Sequence, residues 1–135
     1  MKVQTQADLE RIIKRYRKRL SVDQTYLVTV EIVPEKKVSK HFQDADAWVE
    51  ESTSHPIYSI KVRKSIVDRY ADQPRCMIRL LVHELLHIVV GDSFKDLKKN
   101  YDYDKDGTIE ETLVMRLAKA IVPLGNEDLY NEAEN

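Results

Sequence analysis

The chain has one cysteine, Cys76, in 135 residues. No disulfide can therefore form within it, and a reducing, cytoplasmic setting is the simpler expectation. Glycine and proline number only three and four, which excludes a collagen-like or low-complexity chain and predicts that most of it folds. No apolar run approaches the roughly 18 residues that cross a bilayer, and residues 1–8 lack the apolar core of a secretory leader, so no membrane association is expected. Charge of either sign is not in excess. With 22 basic and 23 acidic residues the formal net charge is −1, which argues against a general binder of nucleic acid. The length suits one domain over residues 1–135 with one core, ending in an acidic, possibly flexible tail at 126–135; nothing fixes an oligomeric state.

What is present is concentrated in residues 82–91, which contain His83-Glu84-Leu85-Leu86-His87. Residues four apart lie on one face of a helix, so His83 and His87 can aim imidazole nitrogens at one ion, for which zinc is the best match. Glu84 stands about 100° further round. That puts its carboxylate beside the ion as a general base toward a metal-activated water rather than as a ligand. A helix over 74–90 is predicted, with Asp72 as its cap, Pro74 in its first turn and Gly91 at its end. Its residues Met77, Ile78, Leu80, Leu81, Val82, Leu85, Leu86, Ile88 and Val89 cover most of the circumference, which predicts burial. Two imidazoles and an acid buried there need partners, and a metal supplies one. The plain alternative is that the histidines bond to backbone and Glu84 reaches solvent.

Around this stretch the pattern predicts a helix over 7–20, with Leu9, Ile12, Ile13, Tyr16 and Leu20 inward and a solvated basic face of Arg11, Lys14, Arg15, Arg17, Lys18 and Arg19. A strand over 25–33 stops at Pro34. Residues 36–54, with His41, Phe42 and Trp48, suit a short helix or one limb of a hairpin. Residues 57–63 alternate Tyr58, Ile60 and Val62 against Ser59, Lys61 and Arg63, a half-exposed strand whose edge could accept an extended peptide. A short helix follows over 65–70, and the last helix spans 108–122 before Pro123.

A catalytic zinc has three protein ligands, so a third is required. The extended pattern HExxHxxGxxH is excluded, because Val90 and Ser93 stand where its glycine and third histidine belong. Cys76 lies two turns from His83 and suits core packing. On the last helix Leu113, Val114, Leu117, Ala118 and Ile121 follow Glu110 at helical steps, so Glu110 lies on the axis of the apolar stripe and is the first choice. Glu111, about 100° away, is the second. Without a metal, Glu110 would simply be a first-turn acid favoured by the helix dipole. A competing motif shares these residues: Asp102, Asp104, Asp106 and Gly107 match the start of a calcium loop, but Leu113 stands where the bidentate glutamate belongs. A weak calcium site, or only a turn leading into a helix, is what that allows.

HELLH followed by Glu110-Glu111-Thr112-Leu113-Val114-Met115-Arg116-Leu117-Ala118 and Pro123 resembles the gluzincin pattern. The size and element order resemble the minigluzincins and, more loosely, the ImmA/IrrE-type peptidases. One departure is that Leu113 and Val114 follow the glutamates where the ImmA/IrrE-type helix has small or polar residues, which leaves Glu110 against Glu111 open. The resemblance implies an α+β zincin-like domain with an N-terminal helix, a small and mostly antiparallel sheet, a buried HExxH helix and a C-terminal glutamate helix. It also implies a peptidase acting on peptides or proteins, with one zinc held by His83, His87 and Glu110 or Glu111, and Glu84 as base. Tyr101, Tyr103 and His55 are oxyanion-stabilising candidates by type alone. The alternatives are a non-catalytic module stabilised by zinc or calcium, and a latent enzyme whose acidic tail covers the cleft.

Overall fold

Thr5 opens the first helix, α1 (Gln6–Arg19), through a reciprocal cap: its hydroxyl accepts from the Asp8 amide, and the Asp8 carboxylate accepts from the Thr5 amide. The computed structural model describes residues 2–52, 57–101, 104 and 107–124, the side chains of 96–101 excepted. Leu9, Ile12 and Ile13 of α1 are buried, and Lys14, Arg15, Lys18 and Arg19 are exposed, as the alternation of apolar and basic positions predicts. The strand β1 (Leu27–Val33) follows. Two short 3-10 turns, Glu35–Lys37 and Lys40–Phe42, lead to β2 (Ala47–Glu51) and then β3 (Ile57–Arg63). Residues 36–54 thus supply both the helical turns and the hairpin limb that their mixed composition allows.

The sheet order is β1-β3-β2, with β3 parallel to β1 and antiparallel to β2. The chain is α+β, and its small sheet is mixed. Tyr58, Ile60 and Val62 of β3 point into the main core, 5%, 0% and 0% exposed. On the other face Lys61 pairs with Glu31 directly opposite, and Arg63 pairs with Glu35. Being central, β3 has no edge to offer a peptide, which corrects the expectation drawn from its half-exposed pattern. Among the described residues, the edge strand that faces a cleft is β2. At the opposite edge the Gln6 side-chain amide donates to the Val30 carbonyl and accepts from the Ile32 amide at 3.3 Å, occupying two backbone groups of β1 as a neighbouring strand would.

After α2 (Lys64–Arg69) the chain enters α3 (Pro74–Tyr101), 28 residues and about 42 Å long at 1.5 Å per residue. Gly91 does not end it. The apolar pattern stops at 91, Asp92, Ser93 and Lys95 being exposed and Phe94 still packed against the core, while the helical backbone continues to Tyr101. Nor does Asp72 cap it: Gln73 immediately precedes the helix, its carbonyl accepts from Cys76 and Met77, and Asp72 pairs with Lys2 at 3.6 Å. Before Gly91 two rows of i, i+4 residues are buried on different sides. Met77, Leu81 and Leu85 pack in the cluster with β3 and α1. Val82, Leu86 and Val90 pack against Val114 and Ala118 of α4 (Thr108–Ile121). This double burial explains a helix that is apolar nearly all round. Arg79 ties the two helices at the far end, donating to the Val122 carbonyl at 3.1 Å.

Cys76 is buried, its thiol 3.4 Å from the Gln73 amide oxygen, a packing role as expected. Below the sheet Val33, Val38 and Trp48 form a smaller cluster, with Phe42 stacked on Trp48 at 4.6 Å. Among the described residues no helix is long and apolar enough to cross a membrane.

Candidate metal centre

One helical turn on α3 places His83 and His87 side by side, with their Nε2 atoms 3.2 Å apart. From the first turn of α4 the Glu111 carboxylate meets both, one oxygen 3.0 Å from His83 Nε2 and the other 2.8 Å from His87 Nε2. On the opposite edge of the His87 ring, Nδ1 lies 2.8 Å from Glu110 Oε2. An ionised carboxylate can only accept, so this contact assigns the ring proton to Nδ1 and leaves Nε2 of a neutral imidazole as a lone pair. That lone pair then faces an acceptor oxygen of Glu111 at 2.8 Å. A further proton on His87 or on Glu111, or a cation between them, relieves the opposition.

His83, His87 and Glu111 are therefore a group that can hold a metal ion, their ligand atoms all within 4.8 Å of one another. Two nitrogens and a carboxylate are a donor set that zinc takes, and two tetrahedral ligands at about 2.0–2.1 Å from zinc stand roughly 3.3 Å apart. The 3.2 Å between the two Nε2 atoms fits that edge. No protein-family model, curated protein or solved structure matches the chain. The site is thus argued from its own geometry.

Of the two adjacent glutamates, Glu111 and not the first-choice Glu110 completes the Nε2 pair. Glu110 does lie on the axis of the packed row, in line with Val114, Ala118 and Val122, which are 0%, 2% and 6% exposed. The axis, however, points at the body of α3, and the histidine nitrogens open to one side of it, where Glu111 projects. Leu113 and Ile121, assigned to the same stripe from the sequence, are exposed. Of the calcium-loop residues, Asp102 and Asp106 lie outside the described residues. Asp104 is buried, and its two oxygens accept from the amides of Ile109 and Glu110 at 2.8 Å each. It acts as the anion at the start of α4 and fixes the backbone on which both glutamates ride. Among the oxyanion candidates His55 and Tyr103 also lie outside the described residues, as does the side chain of Tyr101.

Glu84 is 6% exposed. Burial, opposed by the charge of His87 and reinforced by that of Glu111, pushes its pKa up to about 7. Burial also holds His83 below the ordinary imidazole value, with Glu111 only partly offsetting it and His87 adding to the depression. The shift favours the neutral form of His83, the form that ligates a metal.

The three site residues of α3 and both glutamates of α4 line a cavity of about 770 Å³. Its other wall is β2 and the residues before it, among them Asp46, Trp48 and Val49, together with Tyr58. At one end Lys95 of α3 pairs with Glu51 of β2 at 3.3 Å. A smaller cavity of about 290 Å³ adjoins His83 and Glu111 on the other side, between Leu80 and Met115. The contribution of β2 was not foreseen, since nothing in a five-residue stretch of mixed polarity marks it as the wall of a site. Tyr58 is foreseen as an inward residue, but not as one that reaches the cleft.

Proposed function

We propose that this protein is a zinc-dependent peptidase. The observation that carries the reading is the convergence of His83, His87 and Glu111 beside a buried Glu84, in a cleft walled by β2, an edge strand of the sheet among the described residues. Zinc held by those three residues would supply a Lewis acid that polarises a carbonyl and brings the pKa of a water from 15.7 to about 7.

The chain's own residues account for the remainder. Glu84, with a pKa near 7, is poised to accept a proton from the attacking water at neutral pH. Burial favours its neutral form, so the proton is retained until the leaving amine takes it. Glu110 holds the His87 ring in the orientation that presents Nε2. An extended substrate segment laid along the outer edge of β2 would gain affinity from backbone hydrogen bonds and be carried past the site in a defined direction. Asp46, Trp48 and Val49 would then meet its side chains.

The test is Glu84→Gln. The variant should keep about one zinc per chain by elemental analysis and keep its circular dichroism spectrum, while cleavage of an unfolded protein substrate disappears. Cleavage that persists in the variant removes Glu84 as the base. A zinc-loaded wild type that cleaves no peptide library would instead favour a module in which the metal only holds α3 to α4.

A further inference from the structure

We propose that Glu110 is the positioning residue of this centre and that a small residue at position 91 leaves it room to reach His87. The proposal rests on the metal-site reading above, not on the peptidase activity. Two observations meet here. Glu110 Oε2 is 2.8 Å from His87 Nδ1, with the Glu110 side chain 14% exposed against 48% for Glu111. Gly91 stands one turn after His87 on the same face of α3, and a methyl group added there would lie 3.4 Å from Glu110 Oε1, 3.9 Å from Cδ and 4.0 Å from Oε2.

The carboxylate thus lies directly over the bare backbone of α3. A helix interior favours alanine over glycine, and Gly91 occurs in the middle of a 28-residue helix at the point where this side chain crosses. Alanine still leaves ordinary contact distance to the carboxylate. A branched residue would put its outer carbons where the carboxylate now is.

The role follows from the chemistry of the pair. An acceptor at Nδ1 fixes the His87 tautomer, keeps Nε2 as a lone pair and makes it more basic, as carboxylates behind metal-ligating histidines do. The division of labour between neighbours on α4 is then definite: Glu111 contributes an oxygen to the ion, and Glu110 acts on the ion only through His87. Asp104 serves both by fixing the first turn that carries them.

The experiment has a metal-free arm and a metal arm. In the metal-free protein, above the histidine titrations, nitrogen NMR of wild type should show His87 protonated at Nδ1, and Glu110→Gln should shift it toward a tautomer mixture. In chelator competition with zinc, Glu110→Gln should lose about 10- to 100-fold in affinity. Gly91→Val should lose as much, while Gly91→Ala stays within a few-fold of wild type. Cobalt in place of zinc should give Glu110→Gln the wild-type visible spectrum, because its ligands are unchanged, and should give Glu111→Gln a different one. Circular dichroism confirms that each variant folds.

An unchanged tautomer and unchanged affinity in Glu110→Gln would overturn the proposal. So would a cobalt spectrum altered in the same way as that of Glu111→Gln, which would make Glu110 a ligand. A wild type that binds neither zinc nor cobalt fails the metal-site reading itself, and the metal-free arm separates that failure from a failure of the Glu110–His87 contact.

Discussion

Replacing Glu84 by glutamine isolates the cost of an ionised carboxylate buried beside the two histidines. In the unfolded chain this carboxyl titrates at 4.5, and in the metal-free fold at about 7. Between these values the folded protein retains a proton that the unfolded chain has released. Stability therefore falls as pH rises through the window, by about 1.4 kcal/mol per pH unit. Over the roughly 2.5 units involved, the loss approaches about 3 kcal/mol and is constant above the upper value.

Glutamine has the same shape and never ionises, so the variant lacks this slope. Urea denaturation of both proteins with chelator present, at several pH values across the window, measures it. The stability of Glu84→Gln relative to wild type should rise by about 3 kcal/mol from the acid end to the alkaline end. A difference that does not vary with pH would refute the reasoning, because it would mean that the folded protein does not raise this carboxyl.

Zinc at about one hundred times its dissociation constant should add about 2.7 kcal/mol to the unfolding free energy, and a chelator should remove it. Leu85→Ala, at a fully buried position of α3, should cost about 2–5 kcal/mol in urea denaturation. Glu35 takes hydrogen bonds from Arg63 and from the Ser65 hydroxyl and amide, which lower its pKa to about 2. What it contributes is complete above its unfolded value of 4.5 and is lost as pH falls toward 2, so Glu35→Gln should flatten the acid limb of the stability curve and leave the limb above neutral pH unchanged.

The three residues of the α3 motif were legible because helical periodicity alone sets their relation: four residues apart means one face, whatever the rest of the chain does. The inward set Tyr58, Ile60 and Val62 was legible for the same reason, with a period of two. The choice between Glu110 and Glu111 was not. It depends on how α4 is rotated against α3, and that is decided by Val114 and Ala118 settling against Val82, Leu86 and Val90. The inference that Glu110 lies on the packed axis was sound, but the axis leads to the neighbouring backbone and not to the open side of the histidines. Gly91 misled for a related reason. Glycine commonly follows a helix end, yet here it lies inside α3 under the Glu110 side chain, where a small residue leaves room, and a single chain segment does not reveal that. Strand order was equally hidden, since the parallel pairing of β1 with β3 depends on where β2 folds back.

The two edges of the sheet are unlike, and this sorts what can join it. At β1 the Gln6 amide already occupies two backbone groups, whereas β2 borders the cavity that α3 and α4 enclose. A second folded copy offering its own sheet would have to bring a whole layer into that cleft, whereas a lone extended segment brings only its width. On the proposed peptidase reading, resistance to edge-to-edge polymerisation and admission of unfolded chain would be two results of one arrangement. On that reading the geometry would discriminate by thickness before any side chain is read.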